Sequence, residues 1–255
     1  MKKMTVIIIL CLALGCGPKP ADSAPEDTAT TSVAAVPPVQ GAGTGTIQGE
    51  VLFEGEVPAQ GELQMDGNPE CRGLHKTGKV PAGDVLVQDG RVENAFVYIK
   101  EGVSGTFETP SASVVVDNTG CMYQPHVTGA MTHQSIELRN SDPTLHNVHA
   151  YPVNDKQWNV GLPFQGMSLK KKFSQPEIMV KLKCDVHPWM VGYVGVLPHP
   201  YFAVTGKDGK FELKNLPAGT YKIEAWHERF GTQTSEVTLG EGEAGQVALT
   251  LKNPS

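Results

Sequence analysis

The sequence predicts an all-β chain of two consecutive sandwiches behind an export signal, and three observations carry that prediction. From Thr46 onward, short runs rich in Val, Ile, Phe, Tyr and Thr alternate with Gly, Pro, Asn and Asp. No stretch sustains the apolar period of an amphipathic helix, so no helix is expected anywhere. Segments such as Tyr221-Lys222-Ile223-Glu224-Ala225 alternate apolar and charged residues, as a strand with one buried face requires.

The elements follow in chain order. Residues 1–16 read as a signal: Lys2 and Lys3 open it, residues 5–14 form an apolar run too short to span a bilayer, and Gly15 and Cys16 close it. Residues 17–45 are rich in Pro, Ala, Thr, Ser and Gly and lack aromatic residues. Such a composition cannot form a core, and as a random coil it would let the globular part range roughly 30 Å from its anchor. Residues 46–110 form an N-terminal β region, either a module of its own or strands added to a neighbour. A β domain over 111–198 follows, with its clearest strands at 113–117, 135–140 and 178–182. Residues 175–182 deliver the chain to Cys184 and 193–197 carry it away, so the intervening loop lies at a hairpin end. From 199 to 255 a compact series of short strands is broken by Lys207-Asp208-Gly209 and Asn215-Leu216-Pro217-Ala218-Gly219, both turn sequences.

That hairpin-end loop carries the chemistry. Cys184, His187 and Met190 follow one another at intervals of three, placing a thiolate, an imidazole and a thioether on one loop. The stretch Asn140-Ser141-Asp142-Pro143-Thr144-Leu145-His146-Asn147-Val148-His149 offers a second imidazole from a neighbouring strand. Residues three apart on a strand face opposite sides, which favours His146 as the donor and leaves His149 as an alternative requiring a bulge. Soft sulfur suits Cu(I), imidazole suits both copper oxidation states, and two His, one Cys and a weak axial Met define a blue-copper electron-transfer site. A copper oxidase or nitrite reductase needs further copper centres with several more histidines, so no enzyme is expected.

The remaining composition bounds the partners. Export implies an oxidising compartment, so the five cysteines can be assigned by role. Cys11 leaves with the signal and Cys184 belongs to the metal loop. Cys71 and Cys121 are left for a disulfide, or for a second metal site with the nearby His75 and His126. The formal charge of −6 becomes −8 when Lys2 and Lys3 are removed, and such an acidic chain argues against nucleic acid. The basic run Lys170-Lys171-Lys172 reads as a solvated hairpin.

Several resemblances add to this reading. The end of the signal resembles a bacterial lipobox, which implies lipidation of Cys16; Gly17 after it implies sorting to the outer membrane, on its periplasmic face or at the cell surface. The loop Cys184-Asp185-Val186-His187-Pro188-Trp189-Met190, with Asn140-Ser141-Asp142 and His146-Asn147-Val148, resembles the cupredoxins and most closely amicyanin. That resemblance, spanning about Tyr123 to Leu197, implies a Greek-key sandwich holding one type 1 copper ion. The implied ligands are His146, Cys184, His187 and Met190; Asn147 would join the two ligand loops, and single electrons would pass to and from redox protein partners. Asp185, Trp189 and everything after Leu197 depart from simple amicyanins, and Trp189 is read as a cover for the metal and a candidate part of a docking patch around His187. The phrases Gly209-Lys210-Phe211-Glu212-Leu213 and Leu216-Pro217-Ala218-Gly219-Thr220-Tyr221 resemble the transthyretin-like, carboxypeptidase-regulatory-like modules, and residues 46–58 echo the opening of such modules. The whole chain resembles exported cupredoxin-like proteins of the methylamine-utilisation type. The competing reading is a structural or storage lipoprotein that holds copper or zinc without redox work while its C-terminal module recognises a partner.

Overall fold

The computed structural model describes residues 43–76 and 79–254. The signal, Cys16 and most of the expected tether lie outside these residues. Among the described residues, apart from one helical turn, the regular structure is β, arranged as two sandwiches that share a seam.

The strand Gly45–Glu54 turns Ile47, Val51 and Phe53 inward in period-two alternation. It lies parallel to Ala244–Lys252 along its length, from Thr46 opposite Ala244 to Glu54 opposite Lys252. It also runs antiparallel to Lys210–Leu216 and reaches Arg91–Val92 at its far end. Facing this sheet is a second one, ordered Phe202–Val204, Phe96–Glu101, Gly219–His227 and Gly231–Leu239. Between them lies a core that includes Ile47, Val51, Val97, Ile99, Leu213, Ile223, Leu249 and Leu251. This sandwich is therefore discontinuous in sequence: residues 45–101 supply strands to the same sheets as residues 202–252. The echo at 46–58 belongs to a strand inside the module it echoes.

The second sandwich is built from residues between these two parts. One sheet is ordered Trp158–Leu162, His146–Tyr151, Glu177–Lys183, Val191–Leu197 and Val127–Met131; the other Ser168–Lys171, Ile136–Asn140, Val114–Thr119 and Met122–Gln124. Val127–Met131 is parallel to Val191–Leu197, and Val114–Thr119 to Ile136–Asn140, so the chain crosses between the sheets rather than meandering within one. Tyr123, Leu138, Val148, Leu162, Phe173, Leu182 and Val194 fill the interior. Lys170 and Lys171 sit on an edge strand, where charge discourages pairing with another chain.

The seam depends on two glycines. Gly129 and Gly195 are register partners on adjacent strands. A Cβ on Gly195 would stand 2.3 Å from the Phe96 ring, and one on Gly129 would stand 2.4 Å from the Phe202 ring. Their bare backbones let both rings pack flat against the sheet. Tyr193 and Trp226 meet across the same seam at 5.0 Å between ring centroids, and His126 bonds to Glu228.

Between the strands Gly45–Glu54 and Val87–Gln88 the described residues run irregularly apart from the helical turn Pro69–Gly73. The sequence has local cause for it: Asn68 caps the turn by accepting from Cys71 N–H, and Pro69 occupies the first helical position. Cys71 and Cys121 are joined in a disulfide, which ties this turn to the Thr119–Met122 bend and removes both sulfurs from any second metal site.

Candidate metal centre

The site forms where two strands of one sheet end together. Lys183 pairs with His149 and Leu182 with Ala150, so the chain leaves its strand beside His146 and Asn147. The loop that follows is closed by its own backbone: Met190 N–H donates to His187 O, and Cys184 N–H donates to Met190 O. Asn147 stitches the two segments, its Oδ1 accepting from Asp185 N–H at 2.7 Å and from the Cys184 thiol at 3.3 Å. Its Nδ2 reaches Asn159 Oδ1 and Asp185 Oδ2, and Tyr123 donates to its carbonyl at 2.6 Å.

This frame brings three donors together. His146 Nδ1 lies 3.0 Å from His187 Nδ1, Cys184 Sγ lies 3.7 Å from His187 Nδ1, and the ligand atoms of all three lie within 4.8 Å of one another. Donors about 2.0–2.3 Å from a shared ion in a trigonal plane stand roughly 3.5 Å apart, so the spacing fits a bound cation. His146 and His187 are wholly buried and Cys184 nearly so. Met190, also buried, closes the loop by the two backbone bonds just described. His149 faces the other way, bonding through Nδ1 to Asp185 and to the Tyr151 hydroxyl.

Charge in the site is arranged for a thiolate. Burial by itself would push the Cys184 thiol up, but bonding to His146 and His187 outweighs it and brings the group down to about 6. His146 is likewise opposed by burial yet raised by Asp142 and Cys184. Asp142 holds His146 Nε2 at 3.0 Å and also accepts from Gly120 N–H and Cys121 N–H. Those bonds outweigh its burial and lower the carboxyl below its usual range. The carboxylate thus fixes the ring so that Nδ1 faces the other donors, a task common to groups just behind metal ligands.

His187 is covered. Asn68 Nδ2 lies 2.8 Å from its Nε2, and Trp189 packs against its ring at 5.2 Å while donating to Cys121 O. The disulfide sulfurs also lie within 4.8 Å of a His187 ring nitrogen. The docking patch read around His187 therefore does not expose that imidazole, because the segment carrying Asn68 and Cys71 lies over it. Asp142 and Asn68 are the residues that sequence reasoning missed. Asp142 stood within a quoted motif without a role. Asn68 carried the cap-and-proline signature of a helix start, which was the one available signal.

The model of the carboxypeptidase regulatory-like domain family matches residues 196–252. No protein of curated function matches the sequence. Among solved structures, the chain is similar to a purple cupredoxin from Nitrosopumilus maritimus at 25% identity and TM-score 0.28, over 33% of this chain and 98% of that one. It is similar to a Cu(I) form of an amicyanin variant at 20% identity and TM-score 0.30, over 39% and 97%. It is also similar to a copper-containing nitrite reductase from Thermus scotoductus SA-01 at 20% identity and TM-score 0.32. That match covers 38% of this chain and spans a quarter of the reductase.

Proposed function

We propose that this chain is an exported copper protein that exchanges single electrons with redox protein partners and performs no reaction on a substrate of its own. The observation that carries the reading is the convergence of His146 Nδ1, His187 Nδ1 and a Cys184 sulfur poised as thiolate, all buried. One type 1 copper ion would be held by these three residues with Met190 as the weak axial donor, and would supply one-electron chemistry. The chain's own residues do the rest. Asp142 and Asn147 fix His146 and the Cys184 loop, and burial keeps water from the donors. Bracing from the sheets lets the donors keep their places as charge changes. In this reading Cys16 carries lipid and residues 17–45 tether the sandwiches to the outer membrane, facing the periplasm or the cell surface.

The test is to add Cu(II) to the purified protein and record its visible spectrum. An intense thiolate-to-copper band, lost in Cys184→Ser, is the expected result. A colourless protein that takes up zinc in the same pocket would instead establish the storage or structural reading.

A further inference from the structure

The segment that covers His187 makes a polar contact with it. Asn68 Oδ1 is committed to Cys71 N–H at 3.1 Å, so the amide turns its Nδ2 toward His187 Nε2. A side-chain amide nitrogen only donates, and the imidazole nitrogen it faces must therefore accept. In this arrangement the proton of a neutral His187 ring sits on Nδ1, which points at His146 Nδ1. Two anchors keep the segment there: the Cys71–Cys121 disulfide, and His75, whose Nε2 lies 2.8 Å from Gly120 O. Gly120 and Cys121 also donate to the Asp142 carboxylate that holds His146. One bend therefore braces the outer edges of both rings.

The arrangement changes when His187 Nδ1 serves as a ligand atom. The ring's remaining proton must then be on Nε2, and Nε2–H facing Asn68 Nδ2 would set donor against donor across a part-buried contact on a fully buried ring, which is costly. Oδ1 of the same amide is the acceptor beside it. We propose that Asn68 is the positioning residue of His187, and that its amide turns over on metal binding, so that Asn68 Oδ1 lets go of Cys71 N–H and accepts from His187 Nε2–H. The helical turn Pro69–Gly73 then loses its cap but stays in place through the disulfide. This deepens the proposed function and rests on its ligand assignment.

Nitrogen-15 NMR of the purified protein, metal-free and loaded with diamagnetic Cu(I), tests it. Without metal, His187 Nε2 is expected unprotonated and coupled through a hydrogen bond to Asn68 Nδ2. With Cu(I), a His187 Nε2–H signal is expected, exchanging with solvent roughly tenfold faster in Asn68→Ala than in wild type, which corresponds to one lost hydrogen bond. Asn68→Asp offers only oxygens and still caps the turn, so it is expected to restore slow exchange. Equal exchange in wild type and Asn68→Ala, or no coupling in the metal-free protein, would overturn the proposal while leaving the copper reading intact. A wild type that takes up no Cu(I) would overturn both.

Discussion

The two sandwiches bury polar groups differently. In the metal-site sandwich Asn140, Asp142, Asn147, His146 and His187 are buried and bonded into a network around one end of the sheets, while the buried Asn118, Gln134 and Glu177 bond locally outside it. In the other sandwich the buried polar groups are scattered and locally satisfied. Glu224 takes Tyr98 and Lys100, Thr205 binds Val92 O, His199 binds Ile99 O, and His227 accepts from Arg229 N–H while stacking on Phe230. Buried polar groups cost stability unless bonded, and a connected set at one end also fixes geometry there. The difference teaches that one sandwich uses its polar interior to aim side chains, and the other mainly to close strand ends.

The contrast can be broken first at the disulfide. Cys71 and Cys121 are 50 residues apart in sequence. Replacing both by Ser is expected to destabilise the metal-free protein by about 4 kcal/mol through loop entropy restored to the unfolded chain, read as a lower urea midpoint. Asp142→Ala comes next. It leaves His146 Nε2 and two backbone N–H groups without their buried acceptor, at an expected cost of about 3 kcal/mol and a 10- to 100-fold loss of metal affinity measured by competition with a chelator. If Asp142→Ala bound metal as tightly as wild type, the polar network would be structural and not an aiming device.

The other sandwich should answer to acid through a buried histidine. Burial pushes His227 down to about 4 from an ordinary 6.5. A lowered histidine means the unfolded chain binds more protons than the folded one in that interval. Stability is therefore full above pH 6.5, falls as pH drops toward 4, and levels off below it. The loss is about 3 kcal/mol at most, and the slope over this range should flatten in metal-free His227→Phe. An unchanged slope would place the acid sensitivity elsewhere, first at His199 of the same sandwich, which burial also lowers.

What the sequence disclosed follows the range of the contacts. The Cys184 and His187 spacing is local, and His146 follows if residues 146–149 are extended, so the convergence of these three side chains was legible from residue types and periodicity. The pairing of Gly45–Glu54 with strands at 210–216 and 244–252 was not, because strand alternation tells which face is buried and not which strand lies alongside. Asn68 escaped for the same reason. Its partner His187 is 119 residues away, and the irregular segment that carries it shows no periodic pattern.

The smallest expected effect lies at the seam between the sandwiches. Gly195 sits on Val191–Leu197, the strand that leads away from the Met190 end of the loop. A Cβ there would stand 2.3 Å from Phe96 Cζ and 2.9 Å from Met179 Sδ, closer than packed atoms approach. Phe96 is fully buried and stacks on Phe202 at 5.7 Å, so it has little room to yield. Gly195→Ala is expected to cost about 2 kcal/mol by overpacking, read in urea unfolding. The donors lie at the far end of that strand and are held by Asn147, Asp142 and the loop's own bonds, none of which touches the seam. Metal affinity should therefore stay within a few-fold of wild type, since well-separated sites act independently. A tenfold or larger loss would mean that the seam helps aim the ligands, and that the division of labour between the two sandwiches is less complete than their interiors suggest.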